Sequence, residues 1–176
     1  MSLVPPDPPL SDGVIILRPM DESDLPTIER AASDAEILKW FDLHTRSPAD
    51  YLAAKREAWA EGTGASFAIC DATRPDTCLG QVFIERDDGR GSVGYWLVED
   101  GRDKGRATRA VRLMASWALP EMRLGRLQLH TAQTTSRLSA LQRGQALRGR
   151  AFSGPTTVAG TAPAPMLSST RYFRRT

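Results

Sequence analysis

The chain has 176 residues, 41% of them hydrophobic and 25% charged, and its Lys and Arg outnumber Asp and Glu by only 23 to 21. That size suits one globular domain with its own core, and the near balance of charge excludes a strongly polyanionic or polycationic chain. It holds no apolar run long enough to cross a bilayer, and its two cysteines, Cys70 and Cys78, are too few for a disulfide framework, so a cytoplasmic location with reduced thiols is expected.

Met1–Gly13 is rich in proline and poor in residues that could pack, which predicts a flexible lead-in to a domain spanning residues 14–132. Val14–Leu17 reads as a first strand stopped by Pro19. Asp21 and Ser23 are good helix N-caps, and Leu25, Ile28 and Ala32 follow at helical spacing. A second short helix is expected over Asp34–Phe41. Ser47-Pro48 repeats the cap-then-proline start for a helix reaching about Ala60 and ended by Gly62. Ala65–Cys70 and Cys78–Glu85 read as strands joined by a turn at Arg74-Pro75-Asp76, so the two cysteines either face each other across a hairpin or are small core residues. Asp87–Gly91 is a second turn. It leads into Ser92–Val98, an apolar and aromatic run of the kind a core strand requires.

After that strand comes a basic glycine turn, Glu99–Arg106, and then a helix carrying Ala107, Ala110, Val111, Met114, Ala115 and Ala118 on one face. The first N–H groups of a helix lack intrahelical partners and the helix dipole is positive there, so an anion can dock. Arg102, Lys104 and Arg106 add formal charge, and Gly105 lets the main chain approach a bulky group. A phosphorylated ligand is the expectation. Leu124–His130 reads as a further strand, parallel to Ser92–Val98 through a right-handed crossover. Antiparallel strands followed by a helix and a parallel strand predict an α+β fold with a mixed, mostly antiparallel sheet.

Arg102-Asp103-Lys104-Gly105-Arg106-Ala107 resembles the R/Q-x-x-G-x-G/A signature of the GNAT N-acetyltransferases, and the preceding Gly94-Tyr95-Trp96-Leu97-Val98 resembles the RimJ/RimL-like branch that contains ribosomal-protein N-terminal acetyltransferases. The resemblance covers Val14 to about Leu129. It implies transfer of acetyl from acetyl-CoA, as cosubstrate, to a primary amine on a protein N-terminus or a small molecule. It also implies that the two parallel strands splay apart to admit the pantetheine arm beside Trp96, Leu97 and Val98, and that the turn from Arg102 to Thr108 holds the pyrophosphate. The early helices would form one wall of the acceptor cleft, where Trp40, Phe41, His44 and Tyr51 are either substrate contacts or plain core.

The proton acceptor has several candidates. Glu85, near a strand end, could serve directly or through water, or could be a solvated carboxylate beside Arg86. Tyr95 could face the cleft or be a structural aromatic, and His130 stands at the end of its strand. His44 and His130 are the only histidines and no cysteine pair has ligand spacing, so no metal is expected. No membrane partner is expected, nucleic acid is disfavoured because the arginines lack interleaved aromatics, and monomer and homodimer stay open.

Residues 133–176 depart from the family pattern. This stretch holds seven arginines and no Lys, Asp or Glu, leaving 16 basic against 21 acidic residues before it, and it is rich in glycine and proline. Where the resemblance calls for an Asp-Asn turn and a helix ending in Gly-Phe, the chain reads Gln133–Leu147. If each codon is shifted to begin on the third base of the one before, Gln133–Leu147 can be decoded as D-N-x-x-S-Q-R-V-A-E-R-A-G-F, and the residues up to Phe173 as a closing strand. The segment from about Gln133 is thus expected to be a frameshifted C-terminus, its helix and strand lost or altered. The family's usual asparagine and tyrosine would go with them, giving as the alternative a catalytically impaired fold that only binds CoA or a polyanion. Stop codons in the shifted frame of the encoding DNA would refute this.

Overall fold

Strand order in the sheet follows strand order in the chain, with one parallel strand pair among antiparallel ones. The computed structural model describes residues 2–87, 89–132 and 168–174. Strands β1 (Leu10–Ser11), β2 (Ile15–Pro19), β3 (Gly64–Asp71), β4 (Arg74–Asp87), β5 (Arg90–Leu97), β6 (Arg126–Ala132) and β7 (Ser168–Arg174) form one sheet in that order. Every neighbouring pair is antiparallel except β5 and β6. Helices α1 (Leu25–Ala32), α2 (Ala35–Leu38) and α3 (Pro48–Glu61) lie between β2 and β3 in the chain, and α4 (Arg106–Glu121) forms the crossover from β5 to β6.

Period-two alternation sorts the sheet residues between two cores. Ile15, Leu17, Phe67, Ile69, Val82, Ile84 and Val93 pack with Ala110, Met114 and Ala118 of α4 on one face. Ala68, Cys70, Cys78 and Trp96 pack on the other with Ile28, Ala31, Ile37 and Leu52 from α1, α2 and α3. Trp59, at the end of α3, meets Phe67 and Trp117 with ring centroids 5.3 and 5.4 Å away and donates Nε1–H to Ser66 O.

Local signals set the helix ends. The side chain of Asp21 caps a 3-10 turn (Glu22–Asp24) that runs into α1, Asp34 caps α2, and Ser47 caps α3 with Pro48 at its first position. Gly62 closes α3 in the left-handed region at φ 75°. Asp24 is fully buried and its carboxylate takes both arms of Arg18 at 2.8 and 2.7 Å. Deleting either partner of such a buried pair leaves an uncompensated charge, the change that costs about 3–5 kcal/mol.

Four features differ from the sequence expectation. The stretch before Gly13 is anchored: Leu3 N–H donates to Trp59 O, β1 pairs with Ile16 and Leu17, and Asp12 ion-pairs with Arg109 of α4. Its prolines already restrict the unfolded chain, which lowers the entropy lost on docking. β2 runs through Pro19, tolerated because Pro19 pairs with Phe67 on one side while β1 reaches only Leu17 on the other. The β3–β4 turn falls at Ala72-Thr73, where Asp71 accepts from Thr73 N–H and Oγ1–H, so Arg74-Pro75-Asp76 belong to β4. Ser168–Arg174 pairs antiparallel with all of β6, so the outer edge of β6 is covered where an uncovered edge follows from a lost strand. The remainder of the expected frameshifted segment, residues 133–167, lies outside the described residues.

Cys70 and Cys78 are both opposite one another in the β3–β4 register and buried in the core as free thiols. Burial pushes the Cys70 thiol up to about 11 and raises that of Cys78 as well. Among the described residues no helix is long and apolar enough to cross a membrane.

Candidate functional site

β5 and β6 pair over only part of their length. Their rungs run from Arg90↔Arg126 to Val93↔Leu129, yet β5 continues to Leu97 against β4 and β6 continues to Ala132 against β7. Beyond Val93 the two strands each keep their outer neighbour and lose each other. The hydrogen bond from Val98 N–H to Leu79 O sets the phase of the β4–β5 ladder. By antiparallel alternation, Trp96 and Gly94 then turn their main-chain groups toward β4, and Tyr95 and Leu97 turn theirs into the opening. The Leu97 carbonyl accepts from Arg102 Nε at 2.8 Å. Of the main-chain donors expected near Leu97 and Val98, that of Leu97 faces the gap and that of Val98 is already committed to Leu79.

From the end of β5 the chain passes through a 3-10 turn, Glu99–Gly101, into the loop Arg102–Gly105 and then α4. Asp103 (φ 63°) and Gly105 (φ 69°) take left-handed dihedrals on either side of Lys104, a conformation that costs glycine little. Gly105 is the N-cap of α4 and brings no side chain to the N–H groups of Arg106, Ala107 and Thr108, so among the described residues no side chain caps these three donors. A cleft of about 470 Å³ opens beside Gly105 and runs along α4 past Thr108, Arg109 and Arg112 to Ser116.

The three cations of the loop have separate fates, which the sequence could not show. Arg102 bonds to the carboxylate of Asp34, the α2 cap, as well as to Leu97 O. Arg106 is buried and bonds to Asp71 at the end of β3, and its Nε and Nη1 have no hydrogen-bond partner among the described residues. Only Lys104 stays exposed at the turn. Arg102 and Arg106 therefore brace the loop against α2 and β3, and the positive character of the site rests on Lys104, the α4 main chain and the cleft-lining Arg109 and Arg112.

The sequence candidates for proton transfer fall on opposite faces of the sheet. Tyr95 packs against the α4-side core, and burial raises its phenol above the ordinary range. Glu85 lies on the α1–α3 side, 61% exposed, with Lys55 Nζ 3.2 Å from its Oε1. Phe83, beside it, meets Phe41 edge-on at 5.8 Å. Its ring lies across Gly94, where a Cβ would overlap it, so glycine is required at the first β5 residue past the last rung. On the same face Tyr51 O–H and Trp96 Nε1–H both donate to Gln81 Oε1, at 2.5 and 2.9 Å. The sequence offers Tyr51 as either a substrate contact or plain core and Trp96 as a neighbour of the pantetheine arm, whereas Trp96 is buried in the core with its indole on Gln81, a residue that sequence reading misses because it carries no motif of its own. Trp40 is exposed, and His44 lies 3.4 Å from Asp42 at the surface. The His130 side chain is outside the described residues. Among the described residues no group of three or more His, Cys, Asp or Glu is arranged to hold a metal ion.

Residues 15–141 match the family described as acetyltransferase (GNAT) domain. The chain belongs to the GNAT family. Solved structures share this GNAT fold at low identity. One, provisionally described as a ribosomal-protein-serine acetyltransferase from Vibrio cholerae, is 17% identical with a TM-score of 0.68, covering 99% of this chain and 100% of its own. An acetyltransferase from Agrobacterium tumefaciens is 18% identical, TM-score 0.64, over 86% of this chain and 93% of that one. RimJ from Mycobacterium smegmatis, in complex with CoA-disulfide, is 20% identical, TM-score 0.62, over 77% and 71%. No curated protein matches the sequence.

The braces of this GNAT loop are ionic, and pH tests them. Burial opposes ionisation of Asp34, but bonds from Glu36 N–H and Arg102 outweigh it and hold the carboxyl low; the Thr73 hydroxyl and then Arg106 do the same for Asp71. Carboxylates depressed on folding add stability that is complete above their unfolded value, about 3.9, and is lost as pH falls through the lower folded one. Thermal denaturation should therefore give a flat midpoint from pH 7 to about 5 and a falling one below about 4, and Asp34→Asn should make that acid slope shallower. An unchanged slope would separate the brace from stability.

Proposed function

We propose that this chain is an N-acetyltransferase that moves acetyl from acetyl-CoA to the primary amine of a protein N-terminus or a small molecule. The observation that carries the reading is the opening between β5 and β6 lying beside the bare N-terminus of α4. An extended arm can pair with the main chain of Tyr95 and Leu97 as an added strand would, while the N–H groups of Arg106, Ala107 and Thr108, with Lys104, take a diphosphate. The donors present fit that group: three amides that the Gly105 N-cap leaves without a side-chain cap, the exposed Lys104, and a cleft at Gly105 that Arg109 and the exposed Arg112 also line. Asp103 and Gly105 shape the turn, Arg102 and Arg106 hold it in place, and Trp96 and Val98 fix the strand end from the core.

When bound, acetyl-CoA supplies an activated acyl thioester. The chain's part is to align it and move protons. Leu97 N–H is placed to bond the arm near its reactive end. Glu85, solvent-connected on the α1–α3 side, accepts the proton of an incoming amine directly or through water. Tyr95, whose raised phenol keeps its proton at neutral pH, suits donation rather than acceptance. The description of the Vibrio structure as a ribosomal-protein-serine acetyltransferase makes a protein amine the first acceptor to try. Two free, buried cysteines suit a cytoplasmic setting.

The second reading, a GNAT fold that binds CoA or a polyanion without turnover, is favoured by residues 133–176, whose composition departs from the rest of the chain. Titration with acetyl-CoA should raise the unfolding midpoint progressively, by an amount equivalent to about 2.7 kcal/mol at a hundredfold excess over Kd. Thiol release over a panel of peptide and small amines should then be saturable. A shift without thiol release selects the second reading, and no shift removes both.

A further inference from the structure

Helix α3 places Lys55 one turn after Tyr51, and the helix lies on β3 so that this lysine reaches over the sheet. Its Nζ sits 4.5 Å from the Phe83 ring centroid, 5.4 Å from that of Tyr51, and 3.2 Å from Glu85 Oε1. The side chain is only 18% exposed. A primary amine is thus held over two aromatic faces and against a carboxylate, the surroundings that suit an ammonium group. The Phe83 ring lies on Gly94, the first residue of β5 past its last rung with β6. The amine therefore stands one ring away from the mouth of the opening, on the face opposite Tyr95. The flexible four-carbon stem of lysine gives this amine reach beyond the position it holds.

We propose that Lys55 occupies the place of the acceptor amine and is itself acetylated by this chain, which would make the enzyme its own first substrate. This rests on the acetyl-CoA reading above. Glu85 takes one proton from the Lys55 ammonium, and the freed lone pair attacks the thioester carbonyl of acetyl-CoA. The C–N bond forms and the C–S bond breaks. The sulfur leaves with its electron pair, and the nitrogen's second proton passes through water to it, giving acetyl-lysine, CoA thiol and one proton shed by Glu85. Acetylation removes the charge that binds Lys55 to Glu85 and to both rings, so the product side chain leaves the box and opens it to external amines.

The sequence carries its own control, because Lys39, Lys55 and Lys104 are the only lysines. Lys39, paired with Glu36, is 55% exposed, and Lys104 lies exposed in the loop, so uncatalysed acetylation reaches both more readily than Lys55. The full chain is incubated with acetyl-CoA, and digestion with mass spectrometry reads the gain of one acetyl group at each lysine over time. Lys55 should be modified at least tenfold faster than the other two, with a rate constant unchanged on tenfold dilution of the protein. Glu85→Gln should slow Lys55 at least tenfold while Lys39 and Lys104 keep their rates. Lys55 modified no faster than the others, or only in proportion to protein concentration, overturns the proposal. If calorimetry shows acetyl-CoA binding while Lys55 stays unmodified, only this inference fails; if no binding occurs, the functional reading fails with it.

Discussion

Main-chain hydrogen bonding between two parallel strands, made at one end and withheld at the other, is the constraint on which the rest of the structure depends. The rungs from Arg90↔Arg126 to Val93↔Leu129 fix β5 and β6 in one sheet. Past them each strand is still held by its outer neighbour, β4 or β7, so the divergence costs the sheet no edge. Unpaired main chain inside a fold is expensive unless something satisfies it, and that cost turns the opening into a binding site for an extended polar chain.

The helix that bridges those strands aims its N-terminus at the same opening, and the loop before it is held by acids far off in sequence. Asp34 secures Arg102 from α2, Asp71 secures Arg106 from the end of β3, and Asp12 secures Arg109 from the β1–β2 turn. The Arg102 and Arg109 pairs are partly exposed and such pairs contribute little to stability singly, so their value is chiefly positional, whereas the Arg106 pair is buried and must stay matched. These pairs spend two of the three loop cations on geometry and leave ligand attraction to backbone amides, Lys104 and the arginines that line the cleft along α4. A site built in this way tolerates wide change in sequence, which agrees with folds shared at 17–20% identity.

Much of the architecture could be read from the sequence, for reasons tied to particular residues. Ser47-Pro48 and Gly62 bounded α3 because capping chemistry is local, and Ser92–Val98 with Ala107–Ala118 announced strand and helix by period. What stayed hidden was non-local. Nothing near Arg106 reveals that Asp71 will neutralise it, nothing near Val98 shows that Leu79 will take its N–H, and Gln81 becomes notable only once Tyr51 and Trp96 converge on it. The anchoring of the stretch from Leu3 to Asp12 was missed for the same reason, since Leu3 is held by Trp59 and Asp12 by Arg109. Glu85 and Tyr95 were legible as polar groups near the opening, but only the pleat decides that they face opposite sides.

The central claim is that main-chain amides, at Leu97 and at the start of α4, take the diphosphate and arm of the acyl donor. Amide hydrogen exchange of the full chain with and without acetyl-CoA reads these groups one by one. Slowed exchange at Leu97, Ala107 and Thr108 with no change at Val98 is the predicted outcome, because the Val98 N–H is already bonded to Leu79. Unaltered exchange at all three under saturating acetyl-CoA would contradict the account.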